Sequence, residues 1–207
     1  MTKTAARMLR LMDRATAYWH FPILGRAKGR LLRRLVARHR PRAAVEVGSL
    51  FGYSALLIAG SLPPGGRLTC IEANPYLAYA VAANAAEAGL GRRVRVIEDD
   101  ARRALRRLRG RVDFVLIDAA KTEYLDYLRA LEPKLRAGAV VVADNTRIFR
   151  RDLGPYLAHV RRSGRYASRE YDFGRDAMEV SIYRGAEARR GDQSRRPSGG
   201  RSGRKRD

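Results

Sequence analysis

"VDFVLID" (residues 112–118) and "GAVVVADN" (residues 138–145) decide how this chain is read. Around 114–117 and 139–143 the residues are apolar without an alternating polar face. That is the pattern of a strand covered on both sides. Each run stops on side chains that carry oxygen: Asp118 ends the first, and Asp144 with Asn145 ends the second. A lone lysine, Lys121, lies three residues past Asp118.

Working outward, helical and strand patterns alternate. Upstream, "RAAVEVGS" (42–49), "RLTCIEA" (67–73) and "RVRVIED" (93–99) are short apolar strands. Between and around them lie helical patterns. "AKGRLLRRLVARH" (27–39) places Leu31, Leu32, Leu35 and Val36 on one face. "GYSALLIAGSL" (52–62) is stopped by the Pro-Pro-Gly-Gly that follows. "NPYLAYAVAANAAEAGL" (74–90) has Asn74 as N-cap, Pro75 in the first turn and Gly89 near its end. "DARRALRRLRG" (100–110) and "EYLDYLRALEPKL" (123–135) complete the set. Such alternation predicts an α/β fold with a parallel sheet and helices on both faces. The end of the chain differs: "YASREYDF" (166–173) and "AMEVSIYRG" (177–185) predict an antiparallel hairpin turning at Gly174.

Composition sets the outer limits. A chain of 207 residues with 45% hydrophobic and 31% charged content suits one globular domain. It has no apolar run of transmembrane length, so a role within the membrane is not expected. The first residues, "MTKTAARMLRLMDRATAYW", lack a continuous apolar core and predict a helix rather than an export signal. The single cysteine, Cys70, excludes an internal disulfide, fits the cytoplasm and sits in an apolar strand as a small buried hydrophobe. Residues 186–207 are Arg, Gly, Ser and Pro with almost no apolar side chains, so residues 1–185 are the expected domain and the remainder a disordered basic tail. Net charge is +22, of which that tail carries +5. A charge of this size suggests contact with polyanions such as RNA. It also fits a general arginine bias, since only five of the 43 basic residues are lysine.

In open parallel sheets ligands bind outside the carboxyl ends of the strands. The polar residues of interest all fall at such ends. Gly48 and Gly52 in "VEVGSLFGYS" form a turn that lets backbone approach a ligand, with free N–H groups in the helix behind it. Glu72, closing the second strand, can accept from both hydroxyls of a ribose. Asp100, or its neighbour Asp99, can accept from an adenine amino group or cap the next helix. Asp118, Asp144 and Asn145 together supply three hard oxygen ligands, a set that suits Mg²⁺ with places left for water or substrate. Lys121, one turn beyond Asp118, can face the same space and serve as a base.

These segments resemble the metal-dependent class I S-adenosylmethionine O-methyltransferases, the catechol O-methyltransferases most closely. The likeness is carried by "VEVGSLFGYSALLIAGSLPPGGRLTCIEANP", "LIDAAKTEYL", "VVVADN" and "MEVSIYRG", and runs from Gly25 to Gly185. The resemblance implies the seven-stranded class I methyltransferase fold, with five parallel strands and a C-terminal antiparallel hairpin. It implies S-adenosylmethionine and Mg²⁺ as cofactors, with Asp118, Asp144 and Asn145 on the metal and Lys121 as general base. It places Glu46, Gly48, Tyr53 and Ser54 around the methionine portion of the cofactor and Glu72 on the ribose; Asp100 and Asp118 complete the expected cofactor-binding set. It assigns Glu179, in the last strand, to a substrate hydroxyl. The implied reaction is methyl transfer to one oxygen of a small vicinal diol such as a catechol, and a homodimer stays open. Two features depart from the catechol enzymes. Their bulky residues between the metal aspartate and the lysine are replaced by Ala119 and Ala120, and "TRIFRRDLGPYL" (146–157) brings Arg147, Arg150 and Arg151 to the expected mouth. Both suit a larger acceptor, so a second reading is a related branch that methylates a hydroxylated uridine in tRNA. A third, a non-catalytic RNA-binding protein, conflicts with the presence of the whole metal set and Lys121.

Overall fold

A computed structural model describes residues 1–185; the expected disordered tail, 186–207, lies outside the described residues. The element order is α1 (Lys3–Trp19), α2 (Gly25–His39), β1 (Ala43–Val47), α3 (Tyr53–Ala59), β2 (Arg67–Glu72), α4 (Pro75–Glu87), β3 (Val94–Glu98), α5 (Ala101–Arg107), β4 (Val112–Ile117), α6 (Tyr124–Leu131), β5 (Leu135–Ala143), α7 (Gly154–Arg162), β6 (Tyr166–Asp172) and β7 (Ala177–Tyr183). The seven strands form one sheet in the order β3-β2-β1-β4-β5-β7-β6. β1 to β5 pair in parallel, and β7 pairs antiparallel with both β5 and β6. The chain therefore has the class I methyltransferase fold: the parallel sheet that its alternation predicted, closed by the expected antiparallel hairpin.

Strand parity builds the two cores. In β4, Phe114 and Leu116 join a cluster under α1 to α4, while Val115 and Ile117 join a second cluster under α5 to α7. In β5, Val140 and Val142 divide from Val141 and Ala143 in the same way. Both faces of each strand are covered, which is why neither run needed an alternating polar side.

The helix ends follow local chemistry. The Thr2 side chain accepts from Ala5 N–H and starts α1, whose Ala5, Leu9 and Met12 are buried. Asn74 accepts from the backbone N–H groups of Tyr76 and Leu77 and starts α4, with Pro75 in the first turn. The helix expected over 123–135 is shorter. It ends at Leu131, and Glu132–Lys134 tighten into a 3₁₀ turn around Pro133, which lacks the N–H that would continue the helix. Nor is 146–157 all loop: Pro155 stands in the first turn of α7, buried through Tyr156, Leu157 and Val160.

The order changes direction between β1 and β4, neighbours in the sheet whose following helices cover opposite faces. A crevice opens outside the carboxyl ends of strands at such a point. Here it holds a large cavity.

Candidate active site

The cavity has a volume of about 670 Å³ and is lined from the carboxyl ends of β1, β2, β3, β4 and β5 together with Pro22–Leu24 between α1 and α2. Of the residues expected from sequence, Gly48, Tyr53, Ser54, Glu72, Asp100, Asp118, Lys121, Asp144 and Asn145 all line it.

On the β1–β2 side, Gly48 has φ +82° and lies against the Asp118 carbonyl and Ala119, so any Cβ there would collide with backbone. Glycine is thus required where the exits of β1 and β4 meet. The Glu72 carboxylate accepts from Ser49 N–H at 3.1 Å, Leu50 N–H at 3.0 Å and Asn74 N–H at 3.0 Å. It holds the glycine turn in shape and still faces the cavity. Tyr53 lines the cavity with its ring and donates its hydroxyl to Asp13 of α1 at 2.9 Å, fastening the N-terminal helix to the floor. Of Asp99 and Asp100, only Asp100 lines the cavity. Asp99 is taken by the Arg103 guanidinium, while Asp100 caps α5 by accepting from Arg103 N–H and also reaches the cavity.

On the β4–β5 side, Lys121 opens a 3₁₀ turn and donates to Asp118 Oδ1 at 2.7 Å and to the Tyr124 hydroxyl at 2.9 Å. Tyr124 is fully buried, and burial together with Asp118 and Asp144 raises its pKa far above the usual range, so it stays protonated. It donates weakly to the Asp144 carbonyl at 3.4 Å. Asp144 is 2% exposed, and its pKa is raised by burial and then by the Asp118 charge. Two carboxylates that repel one another in a closed space call for a cation.

The sequence reading missed the cation that answers them. Lys28 of α2 places its ammonium 2.6 Å from Asp144 Oδ1 and 2.5 Å from Asp176 Oδ2. Burial opposes its charge, but Asp144 and Asp176 outweigh burial and raise its pKa. Asp144 Oδ1 is charge-compensated by Lys28 and has no other hydrogen-bond donor. Asp176, just before β7, also accepts from Asn145 Nδ2 at 2.8 Å and, more weakly, from Arg147 N–H and Ile148 N–H. Burial alone would raise the Asp176 pKa, yet these donors hold it at about 2. One signal could have found Lys28: in a chain so rich in arginine, a lysine is rare, and Lys28 and Lys121 are two of only five.

The donor chemistry fits a hard divalent cation. Asp118, Asp144 and Asn145 offer oxygen, and Asp144 Oδ1 has no hydrogen-bond partner beside the Lys28 ammonium. Among the described residues no three of His, Cys, Asp and Glu group as a metal site, so an all-protein cage is not what the geometry offers. The arrangement is an open cradle of two carboxylates and an amide, in which Mg²⁺ would keep water or substrate oxygens.

Two expected residues do not reach the cavity. Glu46 is fully buried beneath the glycine turn, on the face shared with Cys70. It accepts from Ser49 Oγ at 2.7 Å and from Cys70 Sγ at 3.3 Å, and burial pushes its pKa up to about 7. Glu179 pairs with Ala143 across β5 and β7, but its carboxylate is fully buried against Arg161 of α7, at 2.6 and 2.8 Å. Neither lines the cavity: Glu46 points into the core with Oε1 lacking a hydrogen-bond partner, and both Glu179 oxygens are held by Arg161, so neither expected contact is offered from the cavity wall. Two of the three mouth arginines have acidic neighbours. Arg147 donates to Glu170, Asp172 and the Gly174 carbonyl, and Arg150 lies 3.8 Å from Glu170.

A family profile described as O-methyltransferase matches residues 3–151. Catechol O-methyltransferase of Sus scrofa is 34% identical over 176 residues, covering 78% of this chain and 93% of that protein. Catechol O-methyltransferase B of Danio rerio is 32% identical over 175 residues, covering 78% of this chain and 66% of that protein. The transmembrane O-methyltransferase of Homo sapiens is 35% identical over 159 residues, covering 73% of this chain and 54% of that protein. Among the described residues no helix is long and apolar enough to cross a membrane. Among solved structures, the O-methyltransferase TomG from Streptomyces achromogenes, in complex with SAM, superposes with a TM-score of 0.77 at 24% identity, covering 89% of this chain and 91% of that one. An O-methyltransferase from Bacillus cereus in complex with SAH superposes with a TM-score of 0.76 at 22% identity, covering 88% and 91%.

Proposed function

Because the chain belongs to the O-methyltransferase family, we propose that it transfers a methyl group from S-adenosylmethionine to one hydroxyl of a small vicinal diol of the catechol class, assisted by Mg²⁺. One observation carries this reading: the exits of β4 and β5 bring Asp118, Lys121, Asp144 and Asn145 to one wall of the cavity that Gly48 and Glu72 line on the other.

In this reading Glu72 takes the ribose hydroxyls and Asp100 the adenine amino group. Gly48, Tyr53, Ser54 and Asp118 surround the methionine portion. The cofactor supplies a methyl group on positively charged sulfur, which becomes a neutral thioether when an oxygen nucleophile takes the methyl. A divalent cation in the cradle of Asp118, Asp144 and Asn145 supplies Lewis-acid charge that favours ionisation of the acceptor hydroxyl. Lys121, as the neutral amine that a divalent cation in the cradle would favour, accepts the proton that hydroxyl gives up. Its side-chain nitrogen is already placed by Asp118 and Tyr124, so little ordering remains to be done when substrate arrives. Ala119, Ala120 and Phe149 wall the acceptor end. The two alanines leave room for a diol larger than a bare catechol.

The second reading, tRNA, rests on Ala119 and Ala120 and on three arginines at the mouth, of which Arg147 is held by Glu170 and Asp172. The deciding experiment is methyl transfer from labelled S-adenosylmethionine to a panel of catechols, in parallel with bulk unmodified tRNA. Expected is transfer to a catechol that EDTA abolishes and added Mg²⁺ restores. Transfer to tRNA alone, or transfer to catechols insensitive to EDTA, would overturn the reading.

A further inference from the structure

We propose that Asp176 is a positioning residue for the cation cradle, fixing the Asn145 amide so that its oxygen, and not its nitrogen, is presented to the cavity. The inference rests on the divalent-cation reading above and names a residue outside its ligand set.

The argument starts from hydrogen-bond capacity. An amide side chain can offer a metal only its oxygen, and an unrestrained Asn can turn either end toward a site. Asn145 leaves β5 with φ +60°, a left-handed conformation that asparagine tolerates better than most residues. Its Nδ2 donates to Asp176 Oδ2 at 2.8 Å. An ionised carboxylate only accepts, so the nitrogen must be the end that faces Asp176. Asp176 does not line the cavity whereas Asn145 does. The amide oxygen is therefore the atom left for the cavity.

Asp176 is itself held firmly. It is 7% exposed, its Oδ1 accepts from the N–H groups of Arg147 and Ile148, and its Oδ2 meets Lys28 at 2.5 Å. The backbone contacts also fix the turn that follows Asn145. Lys28 joins Asp176 to Asp144, so one ammonium of α2 ties the hairpin carboxylate to the cradle carboxylate. Ligand-orienting partners of this kind typically change metal affinity 10–100-fold when removed.

The test is Mn²⁺ and Mg²⁺ binding to the full chain by titration calorimetry, with S-adenosylmethionine affinity and melting temperature measured alongside. Asp176→Ala should weaken both cations about 10–100-fold and leave cofactor affinity within about threefold. Asp176→Asn should fall between it and the wild type, because its own amide oxygen can still accept from Asn145. Should Asp176→Ala fail to fold, the near-isosteric Asp176→Leu replaces it, with the same weakening expected. A competing account is that Asp176 merely draws Lys28 away from Asp144. In that case Lys28→Met combined with Asp176→Ala recovers wild-type affinity, and that recovery would overturn the proposal. Cation binding by Asp176→Ala or Asp176→Leu as tight as the wild type overturns it as well. A wild type that binds neither cation removes the divalent-cation reading itself, and this inference with it.

Discussion

Replacing Glu46 with glutamine should stabilise the protein, and increasingly so as pH rises. The Glu46 carboxyl is fully buried with its pKa raised from 4.5 to about 7, first by burial. Below pH 4.5 both folded and unfolded chains hold the proton, and the group has no effect on stability. Between 4.5 and 7 the unfolded chain releases the proton while the folded chain keeps it, so stability falls as pH rises. Above 7 both are ionised, and the folded state bears the whole cost of a buried charge. At about 1.4 kcal/mol for each pKa unit, that cost reaches about 3 kcal/mol at pH 8 and is under about 1 kcal/mol at pH 5. Glutamine keeps the shape and can still accept from Ser49 and Cys70 through its oxygen. Its NH₂ then takes the place of Oε1, which has no hydrogen-bond partner in the native site either. Urea unfolding of wild type and Glu46→Gln, at several pH values between 5 and 8 in chelator without cofactor, reads the difference directly. The variant should gain on the wild type by about 2 to 3 kcal/mol across that range. A difference that does not change with pH would mean that Glu46 is not held neutral by burial, and the reasoning would fail. Cofactor affinity should change little at pH 5, since Glu46 does not line the cavity.

Lys121→Met should lower turnover on a catechol about 10²–10⁴-fold while leaving cofactor affinity near wild type, as removal of a general base does; single-turnover assays with calorimetric cofactor binding would show otherwise if the lysine only props up Asp118. Gly48→Ala should cost about 1–3 kcal/mol from its positive φ alone, plus the collision with the Asp118 carbonyl, and weaken cofactor binding; unchanged urea midpoint and affinity would show that the turn relaxes freely. Removing residues 186–207 should leave the melting temperature within a degree or two, because that segment has almost no apolar side chains to bury; a large drop would make it part of the folded unit.

The sequence by itself determined the layers, the strand ends and most of the cavity lining. Those are local properties: apolar runs without alternation, Asn74–Pro75 at a helix start, oxygen-bearing residues where a strand stops. Gly48, Glu72, Asp100, Asp118, Lys121, Asp144 and Asn145 could be found because each sits within a few residues of a strand end, and parallel strands carry all such ends to one edge. The structure alone decided which way a side chain turns within the sheet. Successive residues of a strand point to opposite faces. Thus Glu46 lies within two residues of the cavity-lining Gly48 and still points into the core, while Glu179 stands opposite Ala143 and turns toward Arg161. Pairing between distant segments was equally invisible. Lys28 and Asp176 are 148 residues apart, and no local pattern links a helical lysine to a hairpin aspartate. They meet because β7 inserts beside β5 and brings the start of the last strand to Asn145, while Lys28 reaches Asp144 and Asp176 from α2. That meeting is set by the packing of the whole sheet, and it decides which atom of Asn145 the cavity receives.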